Sequence, residues 1–299
     1  MPQRGKGGLV SCFALVLVVL AAVIHASWNL LSKRAASAGP TFVFAYTFTA
    51  CLAYAPWALW LIAQGAVAWS ASVVGCLLIS GIVHLGYSLC LQRGYQVADL
   101  SVVYPVARGT GPLLAVLAAI VFLGEQPSLR GVFGLIAVVG GIALISTQGR
   151  LAAFRKPGGS SGVLWGLATG GLIASYTVVD AYGVMTLGIA PVVLDWFANG
   201  ARVVLLAPLI AANPRRAREA MAGKWPLAIG VGLLSPLSYI LVLAALDIGA
   251  PLSIAAPLRE MSMMVGALLG MVLLKERVGA WRFGGCAVLL CGVVALGGA

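Results

Sequence analysis

Long apolar runs recur from Leu9 to the end of the chain, and short polar interruptions separate them. Between Ala35 and Gln92 there is no Lys, Arg, Asp or Glu, which is room for two membrane spans of about 20 residues and a short connection. Read this way, the pattern places spans near 10–31, 41–63, 71–92, 97–123, 129–147, 163–187, 191–211, 225–246, 250–274 and 281–298. Proline and glycine inside several of them do not exclude helices, because bundle packing in a membrane accommodates both. The expected fold is an all-α polytopic membrane protein with ten transmembrane helices.

The pattern also repeats. The stretch from Gly94 to Gly149 returns in variant form near the C-terminus, with Ser101, Pro105 and Gly141 matched by Ser253, Pro257 and Gly292. Allowing a gap of one residue, Glu125 after the fourth span corresponds to Glu276 after the ninth. The HASWNLLSK segment of span 1 aligns with LIASYTVVDA of span 6, pairing Ser27 with Ser175 and Trp28 with Tyr176. These matches indicate a duplication. Five spans precede the second copy, so the halves run in opposite orientations, as two inverted five-helix repeats. Residues 1–149 form the first repeat, 150–162 a Gly-, Ser- and Pro-containing polar linker, and 163–299 the second repeat, all in one integrated membrane domain.

Composition agrees with the pattern. Apolar residues make up 61% and charged residues 9%, against roughly 25% charge in soluble domains, and the mean hydropathy is +1.03. A formal net charge of +11 invites a nucleic-acid reading, but the basic residues interrupt apolar runs and build no recognition module. They describe orientation instead. Arg4, Lys6 and Arg130 lie on one side of the expected topology, whereas Lys33, Arg34, Arg93, the Arg150–Lys156 and Arg215–Lys224 clusters, Lys275, Arg277 and Arg282 lie on the other. The positive-inside rule puts the richer side in the cytoplasm and both termini outside. The HASWN sequence from His25 to Asn29 is no small-residue cleavage site, so the first apolar segment is retained as a helix.

Few chemical motifs are present. The six cysteines, at 12, 51, 76, 90, 286 and 291, are spread through apolar spans without ligand spacing or a disulfide framework, and His25 and His84 form no metal motif. A P-loop, a nucleotide-binding glycine fingerprint and an HExxH site are all missing. No cofactor or metal is expected.

The informative residues are polar ones inside the spans. Tyr104 and Arg108 stand four positions apart on one helical face, Arg259 and Glu260 lie at the related depth of the second half, and Asp195, Asn199 and Arg202 share a stripe. Asp180 and His84 are two further intramembrane titratable groups, and Trp28, Tyr46, Tyr87, Tyr176 and Tyr239 add aromatic surface. A charge in the bilayer is costly unless paired or hydrated. Two readings therefore stand: a permanent internal salt-bridge network, or the lining of a substrate path with cations for a carboxylate and acids for an ammonium group.

The repeated pattern of spans 4/5 and 9/10 resembles the EamA-like part of the drug/metabolite transporter superfamily. The resemblance rests on the Tyr87 to Gly94 entry, Ser101 and Pro105, Leu123-Gly124-Glu125, then Tyr239, Ser253, Pro257 and Lys275-Glu276-Arg277, and it extends from about His25 to Gly298. The first copy departs from the commoner LGER with LGEQ. The resemblance implies a bacterial inner-membrane secondary transporter that exports amino acids or related small metabolites by alternating access. Its alternative is multidrug or organic-cation efflux, with a membrane enzyme or channel ranked lower. The substrate-contacting set read from the spans is Trp28, His84, Tyr104, Arg108, Tyr176, Asp195, Asn199, Arg202, Tyr239, Arg259 and Glu260. Glu260, Asp180 and His84 are the candidates for proton coupling, and Pro105, Pro257, Gly141 and Gly292 for structural or hinge roles. Membrane lipids and a small amino-acid-like solute are the expected partners, nucleic acid is not, and monomer and homodimer both stay open.

Overall fold

The computed structural model describes residues 11–97, 100–148, 159–266 and 279–297. These residues form helices α1 (Cys12–Arg34), α2 (Gly39–Ala63), α3 (Ala71–Val97), α4 (Leu100–Leu123), α5 (Leu129–Thr147), α6 (Gly159–Met185), α7 (Pro191–Ala212), α8 (Pro214–Met221), α9 (Trp225–Asp247), α10 (Leu252–Arg259) and α11 (Ala280–Gly297), with a 3-10 turn at Ala36–Ala38. Among the described residues nine helices are long and apolar enough to cross a membrane. The protein is a multi-pass all-α membrane protein.

Local chemistry sets several boundaries. Ser128 caps α5 by accepting from the Gly131 amide at 3.1 Å, and Gln148 ends it in the left-handed region at φ 50. Pro191 occupies the first turn of α7, where its missing N–H costs nothing. Two features depart from the expected spans. The polar interruption after α7 folds into the short basic helix α8, started by Pro214 with the Asn213 side chain accepting from Arg216 N at 3.4 Å. The ninth expected span is not continuous: α10 ends at Arg259, Glu260 forms a turn, and helix resumes over 261–266. Pro257 supplies no amide to the Ser253 carbonyl, and the turn tightens to i→i+3 bonds, Glu260 N to Pro257 O and Met263 N to Glu260 O, each 3.0 Å. The remainder of that span, with Glu276, lies outside the described residues.

Helices pack mainly across the two halves of the chain: α1 on α9, α3 on α6, α4 on α6, α2 on both α7 and α9, and α5 on α11. Large apolar side chains such as Phe122, Leu129 and Phe133 cover the outside, where the surrounding lipid is their solvent. With lipid as apolar as the side chains, association depends on close packing. The α5–α11 seam shows how close. A Cβ on Gly134 would lie 3.0 Å from Gly292 O, one on Gly141 2.7 Å from Leu289 N, one on Gly285 3.0 Å from Gly141 O, and one on Gly292 2.7 Å from Gly134 O. Four glycines thus let two antiparallel backbones touch. Gly141 and Gly292, expected in structural or hinge roles, are packing positions in this seam.

We predict that Gly141→Ala lowers the thermal midpoint of the purified protein in detergent, with a cost of about 1–3 kcal/mol for forcing the backbones apart. Gly140→Ala, one residue away with nothing within 4 Å, should leave the midpoint unchanged or slightly raised. Equal effects at both positions would remove the seam as a stability determinant.

Candidate functional site

Buried polar groups gather where α1, α3, α4, α6, α9 and α10 face one another, and they form two clusters. In the first, Arg108 on α4 donates from Nη1 to Glu260 Oε1 at 3.3 Å, and Arg259 Nε lies 3.8 Å from the same oxygen. Arg108 Nη2 also donates to His25 Nε2 on α1 at 2.7 Å. An arginine has no acceptor, so His25 takes this bond on a bare nitrogen. The ring of Tyr104 lies 5.6 Å from the Arg108 guanidinium carbon, within cation–π range, and His25 packs edge-on against Trp28 at 4.8 Å. Glu260 is fully buried, and its Oε2 finds no partner among the described residues.

The second cluster is centred on Asp180 of α6. The Tyr239 hydroxyl of α9 donates to Asp180 Oδ2 at 2.6 Å, and His84 Nε2 of α3 lies 2.9 Å from that oxygen. Oδ1 is buried without a partner among the described residues. Aromatic rings enclose the carboxylate: Tyr176 stacks on His84 at 4.1 Å and 24°, with Tyr87 and Tyr239 edge-on to Tyr176 at 5.5 and 6.0 Å. Three helices thereby fix one acid and leave one of its oxygens available.

Asp195, Asn199 and Arg202 do share a face of α7, but they satisfy one another. Arg202 Nη2 donates to Asn199 Oδ1 at 2.9 Å, and Asn199 Nδ2 donates to Asp195 Oδ2 at 2.9 Å. Neither carboxylate nor guanidinium of this stripe bonds directly to the Arg108 or Asp180 clusters among the described hydrogen bonds. Of the residues expected in the site, the structure joins Arg108, Tyr104, Arg259 and Glu260 in one group and His84, Tyr176, Asp180 and Tyr239 in another. Trp28 borders the first through His25.

Sequence reasoning passed over two contributors. His25 lay in the polar HASWN patch without an assigned role, and Tyr87 was only one aromatic among several. A stronger signal was available in the repeat: the register that pairs Ser101 with Ser253 and Pro105 with Pro257 also pairs Arg108 with Glu260. Positions matched in that register carry opposite charges, and the fold brings them together. No group of three His, Cys, Asp or Glu among the described residues could hold a metal ion.

Comparison with known proteins follows the same line. Residues 13–147 match the EamA-like transporter family. A crystal structure of another protein superposes with a TM-score of 0.73, covering 94% of this chain and 95% of that one at 19% identity, a likeness that shows the fold alone. Among curated proteins, none matches this sequence. The match to this transporter family spans a little under half of the chain, residues 13–147, and is a likeness of that stretch to the family.

Proposed function

We propose that the protein is a secondary transporter of the bacterial inner membrane that exports amino acids or related small metabolites by alternating access. Two inverted five-helix units, 1–149 and 163–299 around the 150–162 linker, give ten crossings with both termini outside. The packing supports the inverted arrangement. If α1 to α5 are exchanged with α6, α7, α9, α10 and α11, then α1 on α9 becomes α6 on α3, α2 on α9 becomes α7 on α3, and α2–α7, α4–α10 and α5–α11 map onto themselves.

One observation carries the substrate reading: fully buried polar atoms of opposite sign without hydrogen-bond partners among the described residues. Asp180 Oδ1 and Glu260 Oε2 are open acceptors, and Arg259 Nε is an open donor. Such atoms cost several kcal/mol each in hydrocarbon, roughly. A zwitterion answers both signs at once, with its carboxylate on Arg259 and its ammonium on Asp180 or Glu260. The rings of His84, Tyr87, Tyr176 and Tyr239 then offer an apolar or aromatic wall. In this reading Asp195, Asn199 and Arg202 support the site from α7, and Glu260, Asp180 and His84 are the proton carriers of an antiport version. The aromatic enclosure of Asp180 also favours a second reading, efflux of organic cations.

Purified protein in vesicles loaded with an equimolar panel of amino acids, nucleosides, polyamines and organic cations should selectively release neutral or aromatic amino acids, read by mass spectrometry. Release confined to organic cations moves the assignment to multidrug efflux. Asp180→Asn keeps the shape and the Tyr239 contact but removes the charge, so it should reduce release of the preferred solute about tenfold or more while the protein remains monodisperse. Wild-type release in this variant removes Asp180 from the substrate path. Release that neither responds to an imposed proton gradient nor moves protons would discard antiport and leave uniport or exchange.

A further inference from the structure

Glu125 has no part in either buried cluster, yet it makes two of the shortest bonds between the halves of the chain. It stands in the corner between α4 and α5, after Gly124 at φ 68, a backbone conformation that glycine adopts without strain. Its Oε1 accepts from Leu252 N at 2.7 Å and its Oε2 from Ser253 N at 2.8 Å. These amides are the first two of α10. The residue at the cap position, Pro251, has no N–H and no capping side chain, and the next two amides, of Ile254 and Ala255, are taken by Pro251 O at 3.1 and 2.9 Å. Glu125 therefore satisfies both donors that the helix leaves open, with a charge that the helix dipole also favours.

The far end of this eight-residue helix is Arg259, followed by Glu260. A carboxylate from the first half thus holds one end of the rod whose other end carries the central ion pair. The grip lies on one face of the membrane, it is only partly buried, and water can replace it more easily than it can replace the contacts of Arg259 or Glu260, which are 3% and 0% exposed. The connection before α10 contains Gly249 at φ 100, a backbone conformation that favours glycine.

We propose that Glu125 is the positioning residue that closes the path on its own face: while it holds the α10 N-terminus the central site is shut off there, and release of the two amides opens it. This rests on the alternating-access reading above. The device is specific in direction. A cap that served only local stability would expose the ends of α4 and α10 when lost and leave the opposite face unaffected, whereas a gate must exchange access at one face for access at the other.

The test uses full-length protein in proteoliposomes of either orientation, with its six cysteines replaced and a single reporter at Ala256→Cys, a buried central position on α10 outside the proposed binding groups. The rate of labelling by a membrane-impermeant maleimide is measured from each face. Glu125→Gln keeps one acceptor oxygen but loses the charge and sets an amide N–H₂ against an N–H. It should raise labelling from the Glu125 face and lower labelling from the opposite face, so that their ratio changes about tenfold or more, the size expected for losing a charge-assisted bond. Glu125→Asp, which keeps the charge on a shorter side chain, should give a smaller rise in the same direction. An unchanged ratio in both variants overturns the proposal, and so does a rise at the Glu125 face without a fall at the opposite face, which marks Glu125 as a structural cap. If the Gln variant does not fold, the Asp ratio decides alone. Solute release by the wild type is measured in the same vesicles, so failure of the transport reading registers there and not in the labelling ratio.

Discussion

A bilayer offers a buried charge neither water nor an alternative partner, and this constraint organises the interior of the protein. Arg108 keeps its charge in any setting a protein provides, so α4 must bring it to an acceptor. The acceptor is Glu260, at 3.3 Å, with Arg259 at 3.8 Å from the same oxygen and His25 taking a second Arg108 bond at 2.7 Å. Meeting that requirement draws α1, α4 and α10 to one point between the two halves of the chain. A pair of this kind costs much desolvation and contributes little net stability against an apolar substitute, yet removal of one partner alone is severe. It therefore specifies which helices meet more than it adds to how tightly they meet.

Tightness has another source. The glycine seam between α5 and α11 and the approach of Gly166 and Gly170 of α6 to the α4 carbonyls of Val103 and Ala107 give dispersion contact where lipid provides no hydrophobic drive. Rigid seams of this sort hold the outer helices while the central groups stay incompletely satisfied. Arg259, Glu260 and Asp180 each keep a buried polar atom without a hydrogen-bond partner among the described residues. Our proposal of transport, and of a zwitterionic solute, draws on that contrast between closed seams and an open centre.

Much of this was legible in the sequence, for physical reasons. Span positions followed from hydropathy because lipid tolerates almost no exposed charge, and the expectation of a duplication rested on Ser101, Pro105 and Gly141 recurring as Ser253, Pro257 and Gly292. The break at Glu260 was not legible, since Pro257 was one of several interior prolines and Pro56, Pro105, Pro112, Pro208 and Pro236 all sit within unbroken helices. The Asp195 stripe was seen by spacing, but only geometry reveals that its members bond to one another. The partners of Glu125 are backbone amides, which carry no side-chain signature, so nothing in the sequence distinguished a helix cap from a repeat marker. Arg108 and Glu260 could have been paired from the repeat register alone, once equivalent positions were compared for opposite charge.

The central claim is that Arg108 and Glu260 act as one unit joining the two halves. A double-mutant cycle tests it most directly, with Arg108→Gln, Glu260→Gln and the combined protein each unfolded in the same detergent and compared with wild type. The account predicts a Glu260→Gln protein destabilised more than the combined variant, because it leaves two arginines facing each other, and a coupling of about 1–3 kcal/mol for groups in direct contact. Single-variant costs that simply add, within about 0.5 kcal/mol, would contradict it.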